Sequence, residues 1–398
     1  MKQGTYKNST ELMNLHGQSV YMPDIVEACL RGRLNLFLQG DTGSGKTQLM
    51  RDAMAEFGDK GLFILGRNDM DTRELFQQVN LEKLRTGKSS SEIRELTDKI
   101  DHHFIGVDEL PNCVPAVRAQ LFNLFDGFIE INGKAYQIGK GYSVGIATGN
   151  LGQKFTESAN DLGRALKDRM HVTVDTDYFA PTAGDTLEIL AGNTNPRVEF
   201  SDSEKDNSQE MLEKHRNLVG TEVPLQKLLI TNYLLHGLDY CSKGSKRKMK
   251  ESWPTQLANN EQGSDVGLVL PVSPRAAKSV IRLSQALDDI VSEKGASADA
   301  VKRGYFDSMM QAYKFVAAYS GVLNDSAVEA NYDGDKYKAL DAVITTTRTQ
   351  FDQQKENIMA ALAYASKGKM SDKVMSKFTG RWGFMKDTVD RIIKSGGQ

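Results

Sequence analysis

Short apolar runs recur along the first half of the chain and alternate with stretches of helical periodicity. Five runs have the length and composition of buried strands: Leu34–Leu38, Leu62–Leu65, Phe104–Val107, Ser143–Ala147 and His171–Val174. Strands that alternate with helices are typical of a parallel sheet with helices on both faces. Ligands bind such sheets at the carboxyl ends of the strands. The pattern therefore predicts an α/β fold whose binding site lies where these strands end.

One pair of apolar runs departs from this alternation. Phe128–Ile131 and Ala135–Ile138 flank the dipeptide Asn132-Gly133. Asn-Gly favours a two-residue type I′ turn, in which both residues have positive φ. We therefore predict a β-hairpin that is inserted into the α/β domain.

Beyond about Asp177, apolar residues recur at helical spacing. The spacing predicts helices in six stretches: Leu187–Leu190, Leu225–Leu238, Ala276–Val291, Ala300–Tyr319, Tyr337–Ala365 and Asp372–Lys394. Two charged stretches, Ser201–Arg216 and Ser242–Asp265, are predicted to be loops at least in part. The second half of the chain is therefore expected to be mainly helical.

Length and composition limit the class of protein. The chain has 398 residues, and single cores stop growing at about 250–300 residues, so we expect at least two domains. Hydrophobic residues make up 39% and charged residues 26%, which excludes wholesale disorder. The formal net charge is −2, so any binding of nucleic acid would need a local basic patch.

Cysteine usage and hydropathy favour a cytoplasmic protein. Cys29, Cys113 and Cys241 are scattered and form no CxxC pair, which argues against a disulfide framework or a zinc ribbon. No apolar run approaches the roughly 20 residues of a membrane span. The first residues, Met1–Glu11, lack the hydrophobic segment of a secretion signal.

A glycine-rich segment follows the first apolar run and precedes a helix that is predicted from about Lys46. Its eight residues fit the pattern G-x-x-x-x-G-K-[ST]: Gly40, Asp41, Thr42, Gly43, Ser44, Gly45, Lys46 and Thr47. Between a strand and a helix, this pattern is a phosphate-binding loop. Its backbone N–H groups and the helix start attract phosphate, the lysine reaches the β and γ phosphates, and the Thr47 hydroxyl can ligate Mg²⁺. The segment predicts a nucleotide site.

Two carboxylates follow the third apolar run. Asp108 and Glu109 come directly after Phe104–Val107. In a parallel sheet we expect this strand to lie beside the strand of the phosphate loop, where Asp108 would meet Mg²⁺ opposite Thr47. Glu109 would then face the γ-phosphate and act as a base toward the attacking water.

Other polar residues near strand ends are more ambiguous. Asn150 ends the fourth run and either holds the attacking water or γ-phosphate or is an ordinary loop residue. His102 and His103 precede the third run, but no cysteine or carboxylate lies at ligand spacing. We therefore interpret the two histidines as a polar loop and strand start.

The ordered set of motifs resembles that of AAA+ ATPases, specifically their MoxR-like branch, over roughly residues 18–292. In the phosphate loop, Asp41 replaces the usual proline of that family. Six further segments carry the resemblance: Val107–Leu110 resembles the acidic motif, Gln120–Phe125 the helix after it, Phe128–Ile138 the hairpin insertion, Ala147–Asn150 sensor 1 with Gly149 for the usual glutamine, Leu162–Met170 the Asp-Arg-Phe box with Met170 for the aromatic residue, and Val272–Ala276 sensor 2.

The resemblance implies roles for arginine residues. Arg169 would project into the site of a neighbouring subunit and stabilise charge on the transferred phosphoryl group, with Arg164 as the second candidate. Such a site requires a homo-oligomeric ring, expected to be a hexamer. Arg275, just after Pro274 at a predicted helix start, would sense the γ-phosphate of its own subunit.

The resemblance also implies a domain order and a function. We expect an AAA+ nucleotide-binding α/β domain at 1–180, a helical lid at 181–295 and a C-terminal helical extension at 296–398. The chain would hydrolyse ATP with Mg²⁺ and act as a chaperone that remodels, activates or assembles a protein client, with a von Willebrand factor A domain protein as a typical partner.

Two rival functions stay open at this point. One is a motor that acts on nucleic acid, because related AAA+ branches load or unwind DNA. The basic stretches 242–250 and 367–394 could contact nucleic acid, but a solvated loop is favoured for the first, and packing or a protein partner for the second. The other rival is a scaffold in which ATP orders a ring and turnover is incidental. A small-molecule kinase fits poorly, because it would leave the arginine and sensor motifs without a role.

Overall fold

The computed structural model of the chain describes residues 5–67, 76–79, 94–131, 133–150, 169–192, 206–238, 268–269 and 272–394. The chain divides into two compact units. The first unit comprises residues 1–222 and 285–304, and the second comprises 223–284 and 305–398. The three-part division that the sequence suggests, with boundaries at 180 and 295, stays a prediction.

A five-stranded parallel sheet forms the centre of the first unit. In chain order, the described strands are β1 (Met13–Leu15), β2 (Gln18–Val20), β3 (Leu36–Gln39), β4 (Gly61–Leu65), β5 (Gln77–Val79), β6 (Arg94–Leu96), β7 (Phe104–Asp108), β8 (Phe128–Ile131), β9 (Lys134–Gln137), β10 (Val144–Gly149) and β11 (Val172–Asp175). The central sheet has the order β11-β3-β10-β7-β4. All five strands predicted from apolar runs are thus confirmed, and they form one sheet.

Burial explains why these strands appear as continuous apolar runs. Every residue of β3, β7 and β10 is buried, as expected when helices cover both faces of a parallel sheet. The register pairs Gln39 of β3 with Gly149 of β10 and with Asp175 of β11. The carboxyl ends of these three strands therefore lie level at one edge of the sheet.

The described helices of the first unit are α1 (Met22–Gly32), α2 (Lys46–Ala55), α3 (Pro115–Phe125), α4 (Ala183–Ala191) and α5 (Ser208–Gly220). Helix α2 begins at Lys46, as predicted. The charged stretch 201–216 is helical from residue 208 onward, whereas Asp206 and Asn207 are not helical, in agreement with the prediction that part of the stretch is a loop. Met211, Leu212 and Leu218 give α5 a buried apolar side, and the His215 Nδ1 contacts the carbonyl of Arg31 at the end of α1, 2.8 Å away.

The predicted hairpin is confirmed. Strands β8 and β9 pair antiparallel, with Ile131 opposite Lys134. Gly133 in the turn has φ 74°, as a type I′ turn requires, and Asn132 lies outside the described residues. Ile129 and Ile131 join the buried cluster between the sheet and α3, so the hairpin is anchored in the core by one face.

The remaining described helices are α6 (Leu225–His236), α7 (Pro274–Glu293), α8 (Ala298–Arg303), α9 (Tyr305–Ala317), α10 (Asp325–Tyr332), α11 (Lys336–Ala365), α12 (Asp372–Met375) and α13 (Met385–Lys394). Two predicted helices are interrupted. The stretch 300–319 breaks at Gly304, a glycine that ends α8. The stretch 372–394 breaks between α12 and α13, where Gly380 has φ 58° and a short 3₁₀ turn contains Trp382.

Aromatic side chains form the core of the second unit. Trp382 packs against Tyr233, Phe351 and Phe384, with ring centroids 4.9, 5.0 and 5.8 Å away. Phe378, Trp382 and Phe384 are all buried. The aromatic residues of the basic C-terminal stretch therefore stabilise the fold and are not exposed for stacking on bases, which supports the packing interpretation.

Among the described helices, none is both long and apolar enough to span a membrane.

Asn35 connects the elements that meet at the amino edge of the sheet. Its side chain is 2% exposed. The amide Nδ2 donates to the carbonyls of Phe125 (2.7 Å) and Arg169 (3.1 Å), and Oδ1 accepts the N–H of Gly145 (2.9 Å). One side chain thus ties together the end of α3, the start of β10 and the segment before β11.

We predict that Asn35→Ala lowers the free energy of unfolding by about 2–4 kcal/mol, because it leaves several buried backbone groups unpaired. Urea unfolding followed by circular dichroism measures this loss. The matched control is Asn14→Ala on the exposed side of β1, which should change stability by less than about 0.5 kcal/mol. Equal effects of the two variants would contradict the assigned role of Asn35.

Candidate functional site

The phosphate-binding loop connects the end of β3 to the start of α2. Gly45 caps α2 in the left-handed conformation, with φ 80°. A Cβ atom on Gly45 would lie 2.8 Å from the ring of Tyr6, and one on Gly40 would clash with the Thr176 hydroxyl. Glycine at these two positions therefore allows other elements to approach the loop closely. The sequence pattern and the local structure agree that this is a P-loop.

Lys46 is buried at the first position of α2. Its ammonium donates to the carbonyls of Gly40 (3.1 Å) and Asp41 (2.6 Å) and to the Ser44 hydroxyl (3.1 Å). Burial lowers the pKa of Lys46, and the carboxylates of Asp177 and Asp41 oppose that shift. The loop thus holds a cation in place at the helix start, where anions bind.

Asp108 links the P-loop to the ends of β7 and β10. The prediction that β7 lies beside the P-loop strand β3 is wrong, because β10 pairs with both strands and separates them. The Thr47 hydroxyl donates to Asp108 Oδ1 at 3.0 Å, and the Thr148 hydroxyl donates to the same oxygen. The Glu109 N–H in turn donates to the Thr148 hydroxyl at 3.1 Å. The sequence placed Thr47 and Asp108 together as Mg²⁺ ligands, and the structure brings them into contact. A hydroxyl and a carboxylate are hard oxygen donors that fit Mg²⁺, which protein sites hold through one or two carboxylates plus substrate phosphates.

Glu109 lies directly after β7 and has an unusual backbone. Its φ of 55° is in the left-handed region, which few residues other than glycine occupy. Its carboxylate Oε2 accepts the side-chain N–H of Asn112 at 2.8 Å. The backbone turn separates the two consecutive carboxylates, so that Asp108 faces Thr47 and Glu109 lines the open side of the site.

A cleft of about 730 Å³ opens over the P-loop within the first unit. Its volume lies within the range of pockets that hold cofactor-sized ligands. The lining consists of the loop and α2 start, the strand ends, the N-terminal segment and α4: Thr42–Gln48, Asp108, Glu109, Thr148, Asn150, Thr5–Lys7, Pro181, Glu188–Leu190 and Gly192. Asn150 therefore lies on the same cleft as Lys46 and Glu109, as its position after β10 predicts.

An N-terminal strap, defined here as Thr5–Thr10, crosses one side of this cleft. The Tyr6 N–H donates to Asp52 Oδ2 of α2 at 2.8 Å. Asn8 Nδ2 and Thr10 Oγ1 donate to the carbonyls of Phe179 and Ala180, each at 2.7 Å. The strap thus joins the P-loop helix to the segment after β11.

Arg169 lies away from the cleft of its own chain. It precedes β11 at the amino edge of the sheet, whereas the P-loop leaves β3 at the carboxyl edge. Its Nε contacts Asp126 Oδ2 at 2.8 Å, and its guanidinium lies over the ring of Phe122, 5.0 Å from the centroid. An arginine in this position cannot serve the phosphates of its own P-loop.

The other two arginines of the sequence prediction are Arg275 and Arg164. Arg275 is the second residue of α7, in the second unit, and its side chain is exposed. Helix α7 begins at Pro274, as predicted. Arg164 lies outside the described residues.

His103 Nδ1 contacts the carbonyl of Tyr142 at 3.0 Å, and within the described ranges no group of three or more histidine, cysteine or acidic residues is placed to hold a metal ion.

Sequence reasoning missed several residues that contact the P-loop or the cleft. Tyr6, Asn112, Thr176 and Asp177 belong to no motif that we identified. Asp177 reaches the loop from 136 residues away, so local sequence carries no sign of the contact. Asn112 offered a weak signal, because an amide three residues after a candidate base can bond its carboxylate.

Asp185 fastens the strap to α4, and we predict a low pKa for it. The Ser9 N–H and the Thr182 hydroxyl donate to its carboxylate at 2.9 and 2.7 Å, and these bonds lower the pKa to about 2. Because the folded-state value is depressed, the stabilisation is complete above about pH 4 and is lost as the pH falls toward 2. Carbon-13 NMR titration measures the pKa. Ser9→Pro removes the N–H and should raise the pKa, and Ser9→Ala keeps it and should raise the pKa less. Equal pKa values in both variants would contradict the role of that bond.

Comparisons with known proteins agree with this geometry. Residues 35–170 match the family model described as "AAA domain (dynein-related subfamily)". The crystal structure of a candidate ATPase from Cytophaga hutchinsonii is similar over 82% of this chain and 88% of that one, with a TM-score of 0.55 and 14% identity. At that identity the likeness establishes the fold alone.

A full-length MCM homologue from Methanopyrus kandleri is similar over 73% of this chain and 55% of that one, at 13% identity. Its TM-score of 0.44 is too low to support an argument. No curated protein matches the chain. The matched family model begins at the residue before β3 and ends just before β11, and it includes the P-loop, Asp108, Glu109 and Asn150. Residues 35–170 are therefore similar to an AAA domain, and the parallel sheet with its P-loop and flanking helices has the α/β fold of a P-loop AAA+ core.

Proposed function

We propose that the chain is an Mg²⁺-dependent ATPase of MoxR-like AAA+ type, which forms a ring and remodels a protein client. The observation that supports this most strongly is the contact between the P-loop hydroxyl of Thr47 and the carboxylate of Asp108, with Glu109 next to it on the same cleft. A phosphate loop, a metal ligand pair and a candidate base then meet at one edge of the sheet, which is the set that phosphoryl transfer to water needs.

ATP binding is assigned to the loop and the walls of the cleft. The backbone of Gly40–Gly45 and the Lys46 ammonium would hold the phosphates. Tyr6, Ile189 and Leu190 line the same cleft and supply apolar surface for the purine. Thr47 and Asp108 would hold Mg²⁺, which when bound neutralises negative charge on the phosphates.

Glu109 is the proposed general base. Its carboxylate would take a proton from the attacking water, and Asn150 would orient that water or the γ-phosphate. Asn112 already donates one hydrogen bond to Glu109, which fixes the direction of the carboxylate. General base catalysis of this kind is worth about 10²–10⁴ in rate.

Arg169 is proposed to act in trans. Its position at the amino edge of the sheet prevents it from reaching its own P-loop, but a second copy of the chain could present it there. A closed ring, expected to be a hexamer, places each arginine against the next site. Arg275 is proposed to sense the γ-phosphate of its own chain.

The client is proposed to be a protein. A protein with a von Willebrand factor A domain is the proposed partner in that remodelling. Burial of Phe378, Trp382 and Phe384 leaves the basic C-terminal stretch without exposed aromatic residues for stacking on bases among the described positions, which disfavours a nucleic-acid motor. A cytoplasmic location is part of the same proposal.

We predict that Glu109→Gln lowers kcat for ATP hydrolysis by about 10²-fold or more but preserves ATP binding, because the amide cannot accept the proton. Lys46→Ala should abolish binding itself. Phosphate release and equilibrium nucleotide binding measure the two effects. The control is Glu213→Gln on the exposed side of α5, which should leave both unchanged. Full hydrolysis by Glu109→Gln would contradict the assignment of the base.

Mixing two inactive variants tests whether sites are shared. Arg169→Ala should lower kcat by about 10³-fold if it acts as a trans arginine. A mixture with Glu109→Gln should recover part of the activity, because some interfaces then pair an intact Glu109 with an intact Arg169. Full activity of Arg169→Ala alone would overturn the trans assignment.

Stimulation of the ATPase separates the possible clients. The proposal expects stimulation by a protein partner and little response to DNA or RNA. Strong stimulation by nucleic acid that falls steeply with added salt would contradict the protein client.

A further inference from the structure

The P-loop is held from the edge strand by two residues that no part of the proposed mechanism uses. They are Thr176 and Asp177, which follow β11 directly, and we call this pair the strand-end clasp. The Asp177 carboxylate accepts the N–H of Asp41 at 2.6 Å. Thr176 Oγ1 lies 2.8 Å from Ser44 Oγ and donates to the carbonyl of Gln39 at 2.9 Å. The clasp thus contacts the first residues and the turn of the loop.

The clasp is itself positioned by β11. Asp175 pairs with Gln39 across the β11–β3 ladder, and the side chain of Gln39 donates to the carboxylate of Asp175 at 3.2 Å. The other carboxylate oxygen of Asp175 accepts the N–H of Asp177 at 3.0 Å. Thr176 is 1% exposed. Strand pairing therefore delivers both clasp residues to the loop in a defined orientation.

Asp41 is the P-loop residue that the strand-end clasp holds through Asp177. Its N–H lies at an exposed position of the loop, and the Asp177 carboxylate accepts it in a charge-assisted hydrogen bond. The Asp41 carboxylate bonds the next N–H, that of Thr42, at 2.8 Å. The Asp41 carbonyl accepts from Lys46 and from Ser44. Fixing Asp41 therefore fixes both the donor groups of the loop and the lysine.

We infer that Thr176 and Asp177 are positioning residues for ATP, which shape the P-loop from the edge strand and thereby set the affinity for the triphosphate. This inference rests on the proposed ATPase function. Because the loop amides hold the phosphates in the ground state and in the transition state alike, the effect falls on KM and not on kcat.

One physical effect opposes this role. The Asp177 carboxylate carries negative charge close to the place where phosphates bind, and like charges repel. If repulsion were the larger effect, removing the charge would tighten ATP binding. Asp177→Asn separates the two effects, because its amide oxygen can still accept the Asp41 N–H but carries no charge.

Single substitutions in the strand-end clasp test its role directly. Asp177→Ala removes the acceptor and should raise KM for Mg·ATP about tenfold with kcat within about twofold of the native value. Asp177→Asn should give a KM between that of the native chain and that of Asp177→Ala. Thr176→Val keeps the shape without the hydroxyl and should also raise KM. The control is Asp59→Ala at an exposed position of the same unit, which should leave KM unchanged.

Proline at position 41 provides the rescue. Proline has no N–H to satisfy and fixes a negative φ, and Asp41 is not among the positive-φ residues. Alone, Asp41→Pro should raise KM, because its ring would meet the Asp177 carboxylate. Combined with Asp177→Ala, it should lower KM below that of Asp177→Ala alone. A general loss of stability would not be corrected by this second change, and thermal midpoints of all variants monitor folding.

Several outcomes would overturn the inference. They are a native-like KM in Asp177→Ala, a KM below the native value in Asp177→Asn, or additive damage in the double variant. If the native chain neither binds nor hydrolyses ATP, the proposed function fails and the inference fails with it. If the native chain is active and Asp177→Ala behaves like it, the inference alone fails.

Discussion

Strand β3 is hydrogen-bonded to β10 on one side and to β11 on the other, and this position decides what can touch the phosphate loop. From the side of β10 and β7 come Thr148, Asp108 and Glu109, of which Asp108 is the proposed Mg²⁺ ligand and Glu109 the proposed base. From the side of β11 come Thr176 and Asp177, which hold the loop in shape. The level register of the strand ends makes both sets of contacts possible, so the site depends on the packing of the sheet as much as on the motif.

The amino ends and the carboxyl ends of the strands hold different groups. Asn35 ties the carbonyl of Arg169 to the amino edge, whereas the cleft opens at the carboxyl edge. Strand β11 connects these edges, with Arg169 shortly before it and the strand-end clasp directly after it. In a ring, Arg169 of one chain would contact the site of its neighbour. The four residues of β11 would then connect that contact to the P-loop of the chain that carries Arg169.

The central sheet and the contact between the P-loop and Asp108 could be predicted from the sequence, for physical reasons. Strands buried on both faces must be apolar throughout, so β3, β7 and β10 appear as continuous runs. Phosphate binding requires glycine, lysine and a hydroxyl at fixed spacing, which left Gly40–Thr47 unmistakable. Asp108 was predictable because an acidic strand end next to a P-loop has few other uses.

What sequence did not predict depends on contacts between distant segments. The Asn8 side chain meets Phe179 across 171 residues, and Asp177 meets Asp41 across 136. Neither contact leaves a local periodicity. The breaks at Gly304 and around Gly380 were overlooked because the apolar spacing continues through them, although glycine ends a helix at little cost.

ATP is proposed to be hydrolysed at sites that two copies of the chain complete together. The most direct test is to measure the ATPase rate per chain across a range of protein concentrations, with the oligomeric state determined by sedimentation at each one. We expect the rate per chain to rise as the chains assemble and dissociated monomers to turn over little ATP. Full turnover in samples that contain only monomer would contradict this proposal.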